Sequence, residues 1–375
     1  MGETKYGKLL EALKAGIRSG KYGPGSPFPS LRALIRRFGL SDRTVQHALD
    51  ELESEGLIAR EQGRGTFVTL HGAARKIGLI MPGAAYSEFF SILVCEVLKL
   101  AQAEDKILLF GDISSKSPEV RVRQAKKLAA DFIAQGAAGV LYQPVEFVHD
   151  SEAVNRAIVS QFVRSGIPVG LIDCDIVKPP RRSEFDLVSI NNESAGGRLA
   201  ELLIANGAKR IHFLIHPDHS PNMYKRMNGV MNVVLAHGLE WTGNHVLDLD
   251  PCDRAEVLRH VRRYRPDAVV CGTDMLAAYL GQTLASSGLK IPDDIMLAGF
   301  DDVKASVVMS PQLTTVHQPC EQIAERAFYR LLDRIANPAL PPVEIQVEAP
   351  IIERSSTMRA GRSFSKRTQR TKESK

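Results

Sequence analysis

Arg43, Thr44, Gln46 and His47 stand together in the stretch LSDRTVQHALDELESEGLIAREQGRGTFV, which opens at residue 40. All four are short or planar hydrogen-bonding groups near the start of a helical pattern. Val45, Ala48, Leu49 and Leu52 recur at i, i+3, i+4 and i+7, so the apolar stripe turns inward and leaves the four polar groups outside. A helix entering a major groove N-terminus first presents such groups to base edges and phosphates. Asp50, Glu51, Glu53 and Glu55 load the other end with negative charge, which phosphates would repel and so keep from lying flat along the backbone. In Gly63-Arg64-Gly65 the glycines allow close backbone approach while the guanidinium reaches a phosphate or a minor-groove edge.

A second set of residues suits a polyhydroxylated ligand. Hydroxyls both donate and accept, so recognition needs carboxylates, a forked guanidinium and an apolar face. Arg226 supplies the fork, Asp173, Asp274 and Asp301 the acceptors, and Phe89 the flat face. The acidic residues also have structural readings as helix N-caps or ion-pair partners, Asp274 above all because a helix follows it.

These groups need elements to hold them. Residues 5–18 place Tyr6, Leu9, Leu10, Leu13 and Ile17 on one helical face, and KYGPGSPFP then breaks the pattern. Ser30 is placed to cap a short helix that Gly39 ends, and Ser41 to cap the next. GLIAREQGRGTFV reads as two short strands around a tight turn. Three helices and a hairpin in about 70 residues predict a winged helix-turn-helix over 1–70. A polar linker, 71–76, follows. Nine apolar runs then alternate with helical segments: KIGLIMP, KILLFGD, AAGVLYQP, IPVGLIDCD, DLVSINN, RIHFLIHP, NHVLDLD, DAVVCGTD and DIMLAGFDD. Repeated strand–helix units predict an α/β body of doubly wound parallel sheets. Nine strands exceed one comfortable sheet, so two lobes are expected over 77–357, with crossovers near 185, 317 and 340. Ligands of such sheets lie beyond the carboxyl ends of the strands. Asp112, Gln143, Asp173, Thr273, Asp274, Asp301 and Asp302 fall there.

Charge is uneven. Residues 1–75 carry 12 Lys and Arg against 8 Asp and Glu; residues 359–375 carry 7 against 1; the middle is net −5. One end is therefore expected to meet a polyanion. The tail, 358–375, has no apolar periodicity and reads as disordered. The N-terminus has no signal-like apolar run, and no stretch approaches the roughly 20 apolar residues of a membrane span, so a cytoplasmic protein with no membrane partner is expected. Cys95, Cys174, Cys252, Cys271 and Cys320 are odd in number and scattered, and read as reduced core thiols. His212, His216 and His219, with Asp218, invite a metal reading that Pro217 interrupts. DLDPCD at 248–253 lacks the glycine and glutamate of a calcium loop, so no metal site is expected. Trp241 lies outside the strand ends and reads as packing.

Residues 6–68 resemble the GntR-type winged-helix DNA-binding domain. The features carrying the resemblance are Gly25, Pro29-Ser30-Leu31-Arg32, the S-x-x-T-V-x-x-A-L of Ser41–Leu49, the L-x-x-E-G of Leu52–Gly56, and GRGTFV. In that family the positions of Arg32, Arg43, Thr44, Gln46, Arg64 and Gly65 touch DNA. Gln46 departs from a frequent arginine, and glutamine pairs with adenine where arginine favours guanine. From about residue 75 to 357 the chain resembles the LacI/GalR-type, periplasmic-binding-protein-like effector domain. Matching stretches are SEFFSIL (87–93), SINNESAGG (189–197), the R-x-x-G of Arg226–Gly229, Thr273-Asp274, GFDD (299–302), LTTVHQP (313–319) and IIERSST (351–357). There the positions of Phe89, Asp173, Arg226, Thr273 and Asp301 face effector, and Thr273 stands where many relatives have asparagine.

The expected function is therefore a sequence-specific transcriptional regulator, a repressor, acting as a homodimer on double-stranded operator DNA. A small carbohydrate bound between the two lobes would control operator affinity. The linker TLHGAARK looks too short and glycine-broken for the hinge helix of LacI relatives, so coupling is expected through head placement. The alternatives are the same regulator with a purine or phosphorylated effector, a pyridoxal-dependent enzyme fused to the head, and an exported solute-binding protein. No lysine at a strand end in a supporting motif, GxSxG, P-loop or dinucleotide glycine pattern is present, so neither an enzyme nor a cofactor is expected.

Overall fold

Twelve α-helices and fourteen strands are counted among the described residues. The computed structural model describes residues 5–359 except 19–20, 24, 62, 69–75, 82, 84–86, 116, 147, 179 and 216–220. Most of the linker, the basic tail from 360 and the histidines at 216 and 219 lie outside the described residues.

The head is built from α1 (Lys5–Arg18), α2 (Leu31–Phe38), α3 (Asp42–Ser54), β1 (Ile58–Glu61) and β2 (Gly65–Val68). Ser30 caps α2 by accepting from the Ala33 N–H, and Gly39 ends it in the left-handed conformation, φ 63°. Ser41 caps α3 by accepting from the Thr44 N–H. Leu9, Leu13, Leu34, Val45, Ala48, Leu52, Ile58 and Val68 form its buried core. Strands β1 and β2 pair antiparallel from Ile58 opposite Val68 to Glu61 opposite Gly65. The pattern-breaking segment is itself ordered against the hairpin: Phe28 N–H donates to Thr66 O at 2.7 Å and Val68 N–H to Ser26 O at 3.0 Å. Pro27 bridges Phe67 there, at an edge where a missing N–H costs no ladder bond.

The body begins with β3 (Lys76–Met81), α4 (Glu88–Ala103), β4 (Ile107–Asp112), α5 (Pro118–Ala134), β5 (Gly139–Tyr142), α6 (Ser151–Arg164), β6 (Val169–Ile172) and β7 (Asp186–Ile190). It continues with α7 (Asn192–Ala205), β8 (Ile211–Ile215), α8 (Pro221–Ala236), β9 (Val246–Asp248), α9 (Arg254–Tyr264), β10 (Ala268–Cys271), α10 (Asp274–Ser286), β11 (Met296–Asp301), α11 (Lys304–Val308) and β12 (Thr314–His317). Three last elements are α12 (Cys320–Ala336), β13 (Glu344–Val347) and β14 (Ile351–Ile352). Two six-stranded sheets result, in the orders β13-β7-β6-β5-β3-β4 and β14-β12-β11-β10-β8-β9. The pairings from β3 to β7 and from β8 to β12 are parallel, while β14 runs antiparallel to β12. Strands β5, β6, β7, β8 and β10 are buried along their whole length, as helices on both faces of a parallel sheet require.

The chain divides into two compact units, 1–189 with 320–347 and 190–319 with 348–375. It passes between them at 189–190, 319–320 and 347–348. In the first unit the carboxylate of Asp186 on β7, itself buried, accepts from Arg334 on α12 at 2.6 and 3.0 Å and from the Val343 N–H at 2.9 Å. That bond set anchors the returning segment to the sheet.

The nine expected strands all form; β12, β13 and β14 were not among them. Strand β12 begins with two threonines, and both are fully buried. Their hydroxyls are satisfied inside: Thr314 donates to Arg354 O at 2.9 Å and Thr315 to Asp274 Oδ1 at 2.6 Å. Two of the five cysteines, Cys95 and Cys252, are exposed, which corrects their reading as core thiols; Cys174, Cys271 and Cys320 are buried. Among the described residues no helix is long and apolar enough to cross a membrane.

Candidate functional site

In the head, Arg43, Gln46, His47 and Asp50 fall at i, i+3, i+4 and i+7 along α3 and share the face opposite its buried stripe. Arg43 and His47 are exposed; Thr44 and Gln46 are half-buried. Thr44 Oγ1 lies 2.8 Å from the capping hydroxyl of Ser41. The Gln46 amide donates to Asp50 Oδ1 at 3.0 Å, and the His47 ring lies 5.0 Å from Tyr6. Arg32 is exposed on α2; Arg36, one turn on and also exposed, was missed although its i+4 spacing signals the shared face. In the hairpin turn Gly63 and Gly65 have φ of 80° and 115°, which disfavour any side chain. Arg64 between them pairs with Glu61 at 2.6 Å and stays largely exposed.

The acidic end of α3 does something other than repel phosphate. Arg60 of β1 pairs with Asp50 at 2.8 Å and with Glu53 at 3.4 Å, and Lys14 of α1 pairs with Glu55 at 2.7 Å and Glu51 at 3.7 Å. The four carboxylates therefore tie the recognition helix to α1 and to the hairpin. The periodicity signalled the face but not the partners, which come from 7 to 41 residues away.

In the second unit, one network gathers Arg226 and Asp301, with Asp274 beside it. Helix α8 places Arg226 by packing directly on α7: a methyl at Gly196 would overlap the Arg226 carbonyl, and one at Gly229 would overlap the Glu193 carbonyl. The Arg226 guanidinium is 4% exposed. Its Nε donates to Asn192 Oδ1 at 2.8 Å and its Nη1 to the Gly272 carbonyl at 2.7 Å, with Asp301 Oδ1 at 3.5 Å. The group lies over the Phe300 ring at 4.5 Å. Asp301 ends β11 with φ 110° and accepts from Gln318 Nε2 at 2.7 Å. Gln318 is buried, and its Oε1 has no partner. A planar donor, a carboxylate and an amide acceptor thus stand side by side at the carboxyl ends of β10, β11 and β12. Asn192, the Gly272 carbonyl, Phe300 and Gln318 were not singled out as candidates, since nothing in their residue types distinguishes them from ordinary loop and strand-end positions.

Thr273 and Asp274 take structural positions beside this network. The Thr273 hydroxyl caps α10 by accepting from the Leu276 N–H at 3.2 Å. Asp274 is fully buried and accepts from Thr315 and from the Val303 N–H, the latter at 3.0 Å. Burial, and then the neighbouring Asp301 charge, push its carboxyl up to about 8.

Phe89 and Asp173 belong to the first unit. Asp173 follows β6 with φ 70°, is 8% exposed, and its N–H donates to Val188 O at 2.9 Å. Phe89 is buried in the first turn of α4 against Phe90, whose ring is 5.0 Å away and more accessible. The apolar face expected of Phe89 is therefore mostly occupied by the protein itself.

His212 belongs to a different cluster from the one its sequence neighbours implied. It is buried on β8, with its Nδ1 3.0 Å from His260 Nε2 and its ring 4.6 Å from His245. His245 stacks on Trp241 at 5.6 Å. Burial above all, with the charges of His245, His260 and Arg210, lowers His212 to about 3; burial, then His245, lowers His260. Among the described residues no group of histidines, cysteines or carboxylates is arranged to hold a metal.

A winged-helix head with a donor-lined third helix, followed by a doubly wound body whose second unit carries a polar network at its strand ends, defines a DNA-binding transcriptional regulator with a ligand-binding body. Two stretches of the chain match known family models. Residues 5–68 match the bacterial regulatory proteins of the gntR family, and residues 200–357 match a periplasmic binding protein-like domain. The chain is 24% identical to the arabinose metabolism transcriptional repressor of Geobacillus stearothermophilus over 367 residues, 94% of this chain and 97% of that one. It is 32% identical to the HTH-type transcriptional repressor PurR of Klebsiella pneumoniae over 182 residues, 47% of this chain and 53% of the relative. Among solved structures, a complex of the transcriptional regulator CelR with cellobiose shares the fold at a TM-score of 0.64 and 20% identity, covering 95% of this chain and 100% of that one.

Proposed function

We propose that the protein is a repressor that binds duplex operator DNA as a homodimer in the cytoplasm, and that a small carbohydrate bound by its body sets its operator affinity. The observation that carries the carbohydrate reading is the Arg226–Asp301 pair: a fixed guanidinium beside a fixed carboxylate, over an aromatic ring. Adjacent sugar hydroxyls need just such a donor and acceptor side by side. Asp173 and Phe89 of the first unit are the further effector contacts of this reading. The named relatives point the same way, one being an arabinose metabolism repressor and another structure holding cellobiose. Operator contacts are assigned to Arg32, Arg43, Thr44, Gln46, His47, Arg64 and Gly65. Dimer formation is supported by the exposed apolar side chains Ile92 and Leu98 on α4 and Ile107 and Phe110 on the edge strand β4, which water alone would cover poorly.

The test is a thermal-shift screen of the full chain against monosaccharides and disaccharides, L-arabinose and cellobiose among them. Gel-shift titration of duplexes from its own gene neighbourhood follows, with and without each hit. A ligand at 100 times its Kd adds about 2.7 kcal/mol of stability. Failure to bind any such duplex at low salt, in the presence and absence of the sugars, refutes the proposal.

A further inference from the structure

Two consecutive non-glycine residues, Asp301 and Asp302, hold positive φ angles of 110° and 56°. Such residues cost about 1–3 kcal/mol each and persist only where their surroundings over-determine them. The surroundings here are three clamps. Asp301 is held by Gln318 and Arg226. Asp302 is held by Arg354 Nη2 at 2.7 Å, His317 Nδ1 at 3.1 Å and Ser306 Oγ at 3.2 Å. The next residue, Val303, gives its N–H to Asp274 Oδ2 at 3.0 Å, while Asp274 Oδ1 takes the Thr315 hydroxyl at 2.6 Å. Both Asp274 oxygens are thus consumed inside the protein, and the residue is 0% exposed. A Cβ at position 299 would overlap Asp274 Oδ1, so Gly299 is what lets the carboxyl reach across to β12.

We infer that Asp274, backed by Thr315, is a positioning residue that holds the 301–303 turn and so aims the Asp301 carboxylate, without itself touching the effector. The inference rests on the reading of Asp301 as an effector acceptor. Its physical logic is a division of labour between two neighbouring carboxyls. Asp301 and Asp302 face Asp274 from β11, the Cys271 thiol feels it from β10, and Thr315 bonds it from β12. Burial, and then the neighbouring Asp301 charge, push the Asp274 carboxyl up to about 8, as two close buried carboxylates disfavour both being charged. With both Asp274 oxygens already taken by Thr315 and Val303, Asp301 is the carboxylate that a ligand hydroxyl can use.

The experiment is amide hydrogen exchange of the full chain, read at Val303, for wild type, Asp274→Ala, Asp274→Asn and Thr315→Val at neutral pH. Asp274→Ala strands the Val303 N–H, and its exchange rises about tenfold or more. Asp274→Asn keeps a planar group whose amide oxygen still accepts from the Val303 N–H, while its NH2 reverses the bond to the Thr315 oxygen, and it holds exchange within about threefold of wild type. Thr315→Val raises exchange severalfold and decides the matter if Asp274→Ala does not fold. Unchanged exchange in Asp274→Ala, or in Thr315→Val where the alanine variant is lost, overturns the inference, as does a failure of Asp274→Asn to protect. Calorimetry with L-arabinose and cellobiose adds the ligand arm. Where either binds wild type, Asp274→Ala weakens it about tenfold and Asp274→Asn restores it; equal affinity in all three overturns the inference. If neither sugar binds wild type, it is the assignment of these sugars that fails, and the exchange measurement alone decides the role of Asp274.

Discussion

Replacing His212 by leucine will remove an acid-dependent loss of stability from the second unit. The folded imidazole is held neutral down to about pH 3 by burial and by its histidine neighbours, whereas an unfolded one titrates near 6.5. Because the folded pKa is depressed, the unfolded chain binds the extra proton, and stability rises with pH across that window. Neutral His212 costs nothing above pH 6.5; its penalty grows as the pH falls toward 3. Between pH 7 and pH 5 the loss at this one residue is about 2 kcal/mol, reaching about 4 kcal/mol near pH 3. His260 is lowered too and adds in the same direction. The assay is urea unfolding followed by Trp241 fluorescence, since the chain's only tryptophan stacks on His245 in the same cluster. The leucine variant differs from wild type by some fixed packing term at pH 7; the diagnostic quantity is how that difference changes with pH. A change of about 2 kcal/mol in favour of the variant between pH 7 and 5 is expected. Parallel pH profiles for the two proteins would refute the argument that the folded cluster excludes a proton.

Three further outcomes are expected. Arg226→Ala strands the buried Asn192 oxygen and the Gly272 carbonyl and removes the charge partner of Asp301, and lowers stability by about 3–5 kcal/mol in denaturant titrations at neutral pH. Gly229→Ala drives a methyl into the Glu193 carbonyl, separating α7 from α8; a loss of more than about 2 kcal/mol is expected, against about 1 kcal/mol for Gly39→Ala, where only the backbone angle objects. In the head, Arg43→Ala lowers the slope of log affinity against log salt by about 0.9 if Arg43 holds one phosphate, while Gln46→Arg moves base preference from adenine toward guanine in a binding-site selection.

The head and the nine central strands could be read from sequence because periodicity, capping residues and glycine punctuation carry local information. Ser30, Gly39 and Ser41 act where their types predict. What could not be read was pairing across distance. Nothing local marks Arg60 and Lys14 as the partners of the acidic end of α3. The same holds for the exposure of Cys95 and Cys252, and for β12, whose threonines look polar until their hydroxyls are matched to Arg354 and Asp274. The candidate ligand network divided in the same way. Residue chemistry identified Arg226 and Asp301, but burial alone separates Asp301 from Asp274, and the supporting Gln318 and Asn192 emerge only when the strand ends meet. The fold brings His212 to residues 33 and 48 positions away, a pairing that no local pattern marks.

The glycine contact between α7 and α8 has a mechanical consequence. Two helices whose backbones touch through Gly196 and Gly229 cannot slide or rotate past each other without collision. Arg226 is therefore bolted to the frame, and a guest must conform to it. Broadening what this sensor answers to would have to proceed by recontouring the walls around that fixed post, since the post itself has no room to travel.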